Sequence, residues 1–199
     1  MMSYLELIYL VPLSVVAMCW FVFACAFLLR KKPPKAVEQK RDPKAMTGVM
    51  LEGTAYAVVW FFRRPTAYLL PLPGIVFDIF IGVITCILAT ASVWMLIAAV
   101  KTLGKQWAVA ARVVEGHQLI THGPYARVRN PIYSGMFGMM IATGLAWSTW
   151  YGVAVAAILF WYGTVIRVRI EENLLRETFG AEFDAYAKRV PSLIPILFL

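Results

Sequence analysis

The sequence predicts an all-α, polytopic membrane protein with about five transmembrane helices, the last two forming a tight helical hairpin. Three observations predict it. Apolar residues make up 61% of the chain and charged residues only 15%, with a mean hydropathy of +0.71, outside the range of an ordinary water-soluble domain. The apolar residues gather in long stretches, and the lysines and arginines between those stretches fall almost entirely on one side.

From Tyr4 to Leu29 the only charge is Glu6, so this segment can cross a hydrocarbon core of roughly 30 Å at about 1.5 Å per residue. A secretory signal carries its positive charges ahead of the apolar run; here Arg30, Lys31 and Lys32 follow it, as in a retained anchor. The next segment, RKKPPKAVEQKRDPK at 30–44, is polar and broken by prolines, which predicts a cytoplasmic loop on the headgroups. Further apolar stretches run from Met46 to Phe62, Ile75 to Val100, Ile132 to Trp147 and Trp150 to Ile166. Three of them are shorter than the roughly 20 residues of a comfortable span. Only Ser148 and Thr149 separate the last two, and Trp147, Trp150 and Tyr151 stand where an interfacial aromatic belt belongs.

With the N-terminus outside, every lysine and arginine except Arg63 and Arg64 lies in a cytoplasmic segment, which places residues 101–131 and the C-terminus inside. The net charge of +8 then reflects orientation and attraction to anionic headgroups rather than a nucleic-acid surface. Cys19, Cys25 and Cys86 lie in apolar stretches without metal-ligand spacing and read as packing residues. In the tail EENLLRETFGAEFDAYAKRV, 171–190, Leu174, Leu175, Phe179, Phe183 and Tyr186 recur at mostly three- and four-residue steps. That pattern predicts an amphipathic helix lying on the membrane surface or on the protein's own polar loop.

Polar chemistry concentrates beside the last hairpin. Asn130 and Pro131 make a helix start, Asn by capping free amides and Pro by suiting the first helical position. Such a start on the cytoplasmic side welcomes an anion. Arg127 and Arg129, just before it, are costly near a membrane unless they face water or a charged ligand. At the hairpin exit Arg167 and Glu171 share a helix face at i, i+4, with Glu172 alongside, and the hairpin returns them close to Asn130 and Tyr133. His117 and His122 lack nearby acidic or thiol ligands, so no metal is expected. Gly135, Gly138 and Gly144 lie inside an apolar helix, where small residues allow close packing, and no P-loop, G-x-S-x-G or H-E-x-x-H is present. Glu52 and Asp78 are the ionisable residues to check for a midplane pathway.

EGHQLITHGPYARVRNPIYSG followed by RVRIEENLLRETFGAEFDAYAKRVPSLIP resembles the integral-membrane isoprenylcysteine carboxyl methyltransferases and the related phospholipid methyltransferases. The resemblance covers about residues 103–195 and rests on G-P-Y, R-x-P-x-Y, paired glutamates, F-G-x-x-F-x-x-Y and V-P-x-L-I-P at these spacings. It implies S-adenosylmethionine as methyl donor and S-adenosylhomocysteine as product. By motif match His117, Gln118, Leu119, Ile120 and Tyr125 line the donor pocket, Asn130, Pro131, Ile132 and Tyr133 continue it, and Glu171 holds the cofactor. Arg167 faces the acceptor's carboxylate. Many relatives carry histidine where this sequence has Asn130, which limits that position to hydrogen bonding.

Residues 1–100 are thus expected to form N-terminal transmembrane helices and a basic cytoplasmic loop. Residues 101–199 are expected to form the catalytic half, with the S-adenosylmethionine loop, the hairpin and the amphipathic C-terminal helix. The implied activity is carboxyl methylation of a C-terminal prenylcysteine or a similar lipid-anchored acceptor that enters from the bilayer. The alternatives are a phospholipid amine methyltransferase, for which Glu172 is the candidate proton acceptor, an NADPH-dependent sterol-type reductase, and a transporter or scaffold.

Overall fold

A computed structural model describes residues 4–28, 38–41, 45–64, 74–104, 112–114 and 118–193. Six α-helices dominate: α1 (Tyr4–Leu28), α2 (Ala45–Phe61), α3 (Ile75–Leu103), α4 (Pro131–Trp147), α5 (Trp150–Phe179) and α6 (Ala181–Arg189). The all-α expectation needs one amendment. Inside the expected loop 30–44, β1 (Glu38–Arg41) pairs antiparallel with β2 (Arg112–Val114), in a two-stranded ribbon with an irregularity between Glu38 and Lys40.

Among the described residues, three helices are long and apolar enough to cross a membrane, Ile8–Ala26 within α1, Ile75–Leu103 and Trp150–Phe179. Their outer faces carry Met18, Phe21, Val76, Phe80, Ile87, Trp94, Ile158 and Tyr162 exposed, the exterior of an integral membrane protein. α2 and α4 have 17 residues each, short for a full crossing of about 20 residues.

α4 sits at the centre. On one side Met139, Ala142 and Ala146 pack with Val16 and Cys19 of α1 and with Ala89, Val93 and Leu96 of α3. On the other, Met140 packs with Ala55 and Val59 of α2 and with Ala156 and Phe160 of α5. Two polar ties lock this arrangement: Trp20 Nε1 donates to Thr143 Oγ1 at 3.1 Å, and the Tyr56 hydroxyl donates to the Met136 carbonyl at 2.8 Å.

Close approach between the helices depends on glycine. A Cβ at Gly138 would stand 2.1 Å from Ser92 Oγ, and one at Gly163 would stand 2.8 Å from the Gly48 carbonyl. In lipid, where helix association draws little on hydrophobic burial, small residues of this kind let backbones meet.

α5 runs well beyond the expected end at Ile166, so 171–179 belongs to it and the predicted C-terminal helix is split. The break falls at Gly180, whose φ of +52° with ψ of −123° is open to glycine and costs an L-residue about 1–3 kcal/mol. α6 turns back onto the protein rather than lying free: Phe183 and Tyr186 are buried, and the Tyr186 hydroxyl donates to the Tyr125 carbonyl at 2.7 Å.

At the far end from this turn, α2 meets the α4–α5 connection. Arg64 donates through its backbone N–H to the Trp147 carbonyl at 3.1 Å and through its guanidinium to the Ala146 carbonyl at 2.8 Å. Arg63 lies 4.7 Å over the Trp147 ring, which also meets the Trp60 ring.

Candidate active site

Where α2, α4 and α5 converge, α5 presents Arg167, Glu171 and Glu172 near the start of α4. Tyr133, in the first turn of α4, donates its hydroxyl to Glu171. Arg167 lies under the Tyr133 ring, 4.8 Å from its centroid, and one of its nitrogens stands 3.7 Å from Glu171. The other terminal nitrogen donates to Glu52 of α2 at 2.8 Å, and Thr164 Oγ1 donates to the second Glu52 oxygen at 3.1 Å. Glu52 and Arg167 are buried, while the Glu171 side chain keeps 26% of its surface. The result is a row, Glu52, Arg167, Glu171, Tyr133, with an accessible carboxylate near its end.

Glu172 belongs to a different group. Consecutive residues on a helix diverge by about 100°, so Glu172 turns away from Glu171. Its two oxygens accept from Arg129 Nε at 2.9 Å and Nη2 at 2.8 Å, a bidentate fork. Asn130 Nδ2 and the Ser192 hydroxyl each donate to the same carboxylate at 2.9 Å. The remaining Arg129 nitrogen donates to the Ala187 and Val190 carbonyls. Backbone bonds reinforce this clasp, with the Arg129 N–H donating to the Pro191 carbonyl at 2.9 Å and the Asn130 N–H to the Ser192 carbonyl at 3.0 Å.

Three sequence expectations change here. Asn130 occupies the cap position of α4, but its side chain makes no cap bond and is turned to Glu172 and Ser192 instead. Arg129 faces neither water nor ligand; it is buried against Glu172. Glu172, the candidate proton acceptor for an amine substrate, has both oxygens engaged by the clasp.

The expected pocket residues are distributed unevenly. Tyr133, Arg167 and Glu171 come together as expected, and Pro131 is buried at the first position of α4. Ile132 packs against the core shared by α1, α3 and α4, on the other side of α4 from Met140. Tyr125 is buried in the short 3-10 turn Gly123–Ala126, and burial, aided by the Glu171 charge, pushes its hydroxyl pKa well above the usual value. Gln118 is exposed, with Leu119 and Ile120 half-buried, in the chain leading to that turn. His117 lies outside the described residues.

Sequence reasoning missed the two partners that complete these networks. Glu52 was flagged for the right physical reason, a carboxylate inside an apolar helix, but its partner 115 residues away was not legible. The Arg129–Glu172 pair left a fainter signal, two charges flanking a hairpin whose ends must meet. Among the described residues no group of three or more His, Cys, Asp or Glu side chains could hold a metal ion.

Residues 77–182, just over half of the chain, match the profile of a family described as phospholipid methyltransferase. The chain belongs to this family. Its similarity extends to protein-S-isoprenylcysteine O-methyltransferase B of Arabidopsis thaliana, 31% identical over 101 residues, 50% of this chain and 51% of that protein. The protein-S-isoprenylcysteine O-methyltransferase of Schizosaccharomyces pombe is 33% identical over 89 residues, 45% of this chain and 38% of the relative. A relative of another name, nickel-cobalt-cadmium resistance protein NccN of Alcaligenes xylosoxydans xylosoxydans, is 32% identical over 114 residues, 56% of this chain and 52% of that protein. The chain spans about half the length of the curated relatives it matches.

Proposed function

We propose that the protein is an integral-membrane methyltransferase that uses S-adenosylmethionine to methylate the carboxylate of a lipid-anchored acceptor, a C-terminal prenylcysteine or a close analogue. The observation that carries the reading is the Glu52–Arg167–Glu171–Tyr133 row, in which one arginine serves two carboxylates. Family membership and the names of the relatives support the same class.

The row fits this donor by charge. With both carboxylates ionised it carries one uncompensated negative charge, and the partly exposed Glu171 is where a cationic ligand is best received. When bound, the donor supplies an electrophilic methyl group on a positively charged sulfur. Glu171 accepts hydrogen bonds from the donor's polar groups, and Tyr133 and Arg167 hold Glu171 in place. An ionised acceptor carboxylate is already a nucleophile, so the site needs alignment more than a base. Arg167 supplies the positive field toward which that carboxylate is drawn, and Glu52 tempers its grip.

Residues 101–199 form the catalytic half in this reading. His117, Gln118, Leu119, Ile120, Tyr125, Asn130, Pro131 and Ile132 enclose the donor together with Tyr133 and Glu171. α1 to α5 make five crossings, α4 and α5 as a hairpin, with the site on the cytoplasmic side. The acceptor's lipid stays in the bilayer while its head reaches the site. An amine acceptor is less well served, because it must lose a proton and Glu172 is engaged with Arg129.

Calorimetric titration of the detergent-purified protein with S-adenosylhomocysteine, with NADPH alongside, tests the donor. Saturable binding of the former alone is expected; binding of NADPH alone would move the assignment to a reductase. Methyl transfer to a prenylated cysteine, absent when its carboxylate is blocked as an amide, tests the acceptor.

A further inference from the structure

Glu52 is an expensive residue. It is 3% exposed within α2, a helix whose other residues carry no charge, and among the described residues the cost of placing a carboxylate there is offset by Arg167 and Thr164 of α5. Several features of α2 and α5 serve that contact. Gly48 lets the Arg167 side chain pass: a Cβ at 48 would stand 2.3 Å from Arg167 Cγ. Gly163 lets the α2 backbone approach, and Thr164 donates to the Glu52 oxygen that Arg167 leaves free. Glu52 also lies ahead of the matched residues 77–182, so it brings a charge into the row from outside the part that carries the family likeness.

A neutral residue at 52 would fill the same space. What the carboxylate adds is charge. With Glu52 ionised, the Arg167 cation is balanced by Glu52, and the negative charge of Glu171 is left over. Without it, Arg167 and Glu171 balance each other, and the row is neutral. Glu52 thereby controls how strongly Glu171 attracts a cation, although it makes no contact with Glu171 among the hydrogen bonds and ion pairs of this site.

We propose that Glu52 is a positioning residue that keeps the row one charge negative, so that the site prefers the sulfonium donor to its neutral thioether product. The inference rests on the methyl-donor reading and deepens it. In transfer, a lone pair of the acceptor carboxylate forms the new C–O bond while the S–CH3 bond breaks and its electron pair stays on sulfur. The sulfur ligand loses one positive charge, the acceptor loses its negative charge, and the attraction that held the donor is removed. Product release is then promoted by the same residue that favoured donor binding.

The experiment is to measure dissociation constants for S-adenosylmethionine and for S-adenosylhomocysteine on the detergent-purified full chain and on Glu52→Gln, which keeps an oxygen for Arg167 and Thr164 while removing the charge. Unit charges about 10 Å apart at an effective dielectric of about 20 predict that Glu52→Gln lowers the preference for the donor over the product by about fifteenfold. A residue that only holds helices together would weaken both ligands alike. An unchanged preference in Glu52→Gln, with both ligands bound, would overturn the charge-setting role and leave the methyl-donor reading intact. Failure of both ligands to bind the unmutated protein would instead overturn the methyl-donor reading and this inference with it. Should Glu52→Gln not fold, Glu52→Asp keeps the charge at 52 while shortening the side chain that reaches Arg167 and Thr164. Its preference is expected to match that of the unmutated protein, and a loss there would equally overturn the proposal.

Discussion

Consecutive glutamates at 171 and 172 point about 100° apart around α5, and this angle divides the polar residues of the site between binding and architecture. Glu171 keeps exposed surface and a Tyr133 hydroxyl; Glu172 is enclosed by Arg129, Asn130 and Ser192. Tyr133→Ala should weaken donor binding and also lower thermal stability, because Tyr133 is buried with Val168 and Leu193, whereas Glu171→Ala is expected to weaken donor binding at least tenfold by calorimetry with little change in thermal stability. Arg129→Ala should do the reverse. It strands a buried carboxylate, a loss of about 3–5 kcal/mol in comparable buried pairs, and is checked by thermal unfolding in detergent. Arg167→Ala should impair transfer to a carboxylate acceptor and, because it strands the buried Glu52, also lower thermal stability; unchanged methylation of a prenylcysteine by that variant would remove Arg167 from the acceptor's side. The motif residues that gather at the site, Tyr133, Arg167 and Glu171, were legible because helical spacing and a two-residue connection are both local. The pairing of Glu52 with Arg167 and the Arg129–Glu172 fork were not, since ion pairs 115 and 43 residues apart in the chain leave no local pattern.

Element boundaries were read well where apolarity decides them and poorly where it does not. α2, α3 and α4 begin and end within a few residues of the apolar stretches that predicted them. α5 overran its stretch because a helix continues through polar sequence until something stops it, and the stop is Gly180 rather than the membrane surface. The 38–41 strand was illegible for the opposite reason: a ribbon of four and three residues rests on pairing with 112–114, which no short stretch announces. Two predictions belong to this scale. Gly163→Leu places side-chain atoms where the Gly48 carbonyl already stands at 2.8 Å from a Cβ, and should cost about 1–3 kcal/mol while loosening the Glu52–Arg167 contact, read as a fall in both melting temperature and donor affinity. Gly180→Ala should cost about 1–3 kcal/mol through its backbone conformation alone, read as a fall in melting temperature.

Taken whole, the molecule is an apolar bundle centred on α4 with its polar bonds concentrated toward two ends, one tied by Arg63 and Arg64 and one by the site and α6. The second end has an alkaline limit. Burial, opposed by the Arg129 charge and helped by Glu172, pushes the Tyr186 hydroxyl up to about 12, against about 10 in an unfolded chain. The folded state thus holds a proton that the unfolded state gives up first, so stability present below pH 10 declines as pH rises from about 10 to 12. Tyr186→Phe should flatten that decline in an unfolding series across the same range.

The Glu52–Arg167 pair also has a history within each molecule, set by the order of synthesis. Its members are 115 residues apart, so at about 5–20 residues per second Glu52 is synthesised about 6–23 seconds before Arg167. During that interval α2 is a 17-residue helix with an unbalanced carboxylate, a poor candidate for settling in lipid by itself. Its final seat depends on the late arrival of α5, so a nascent chain halted before residue 167 leaves α2 without the partner that makes its burial tolerable.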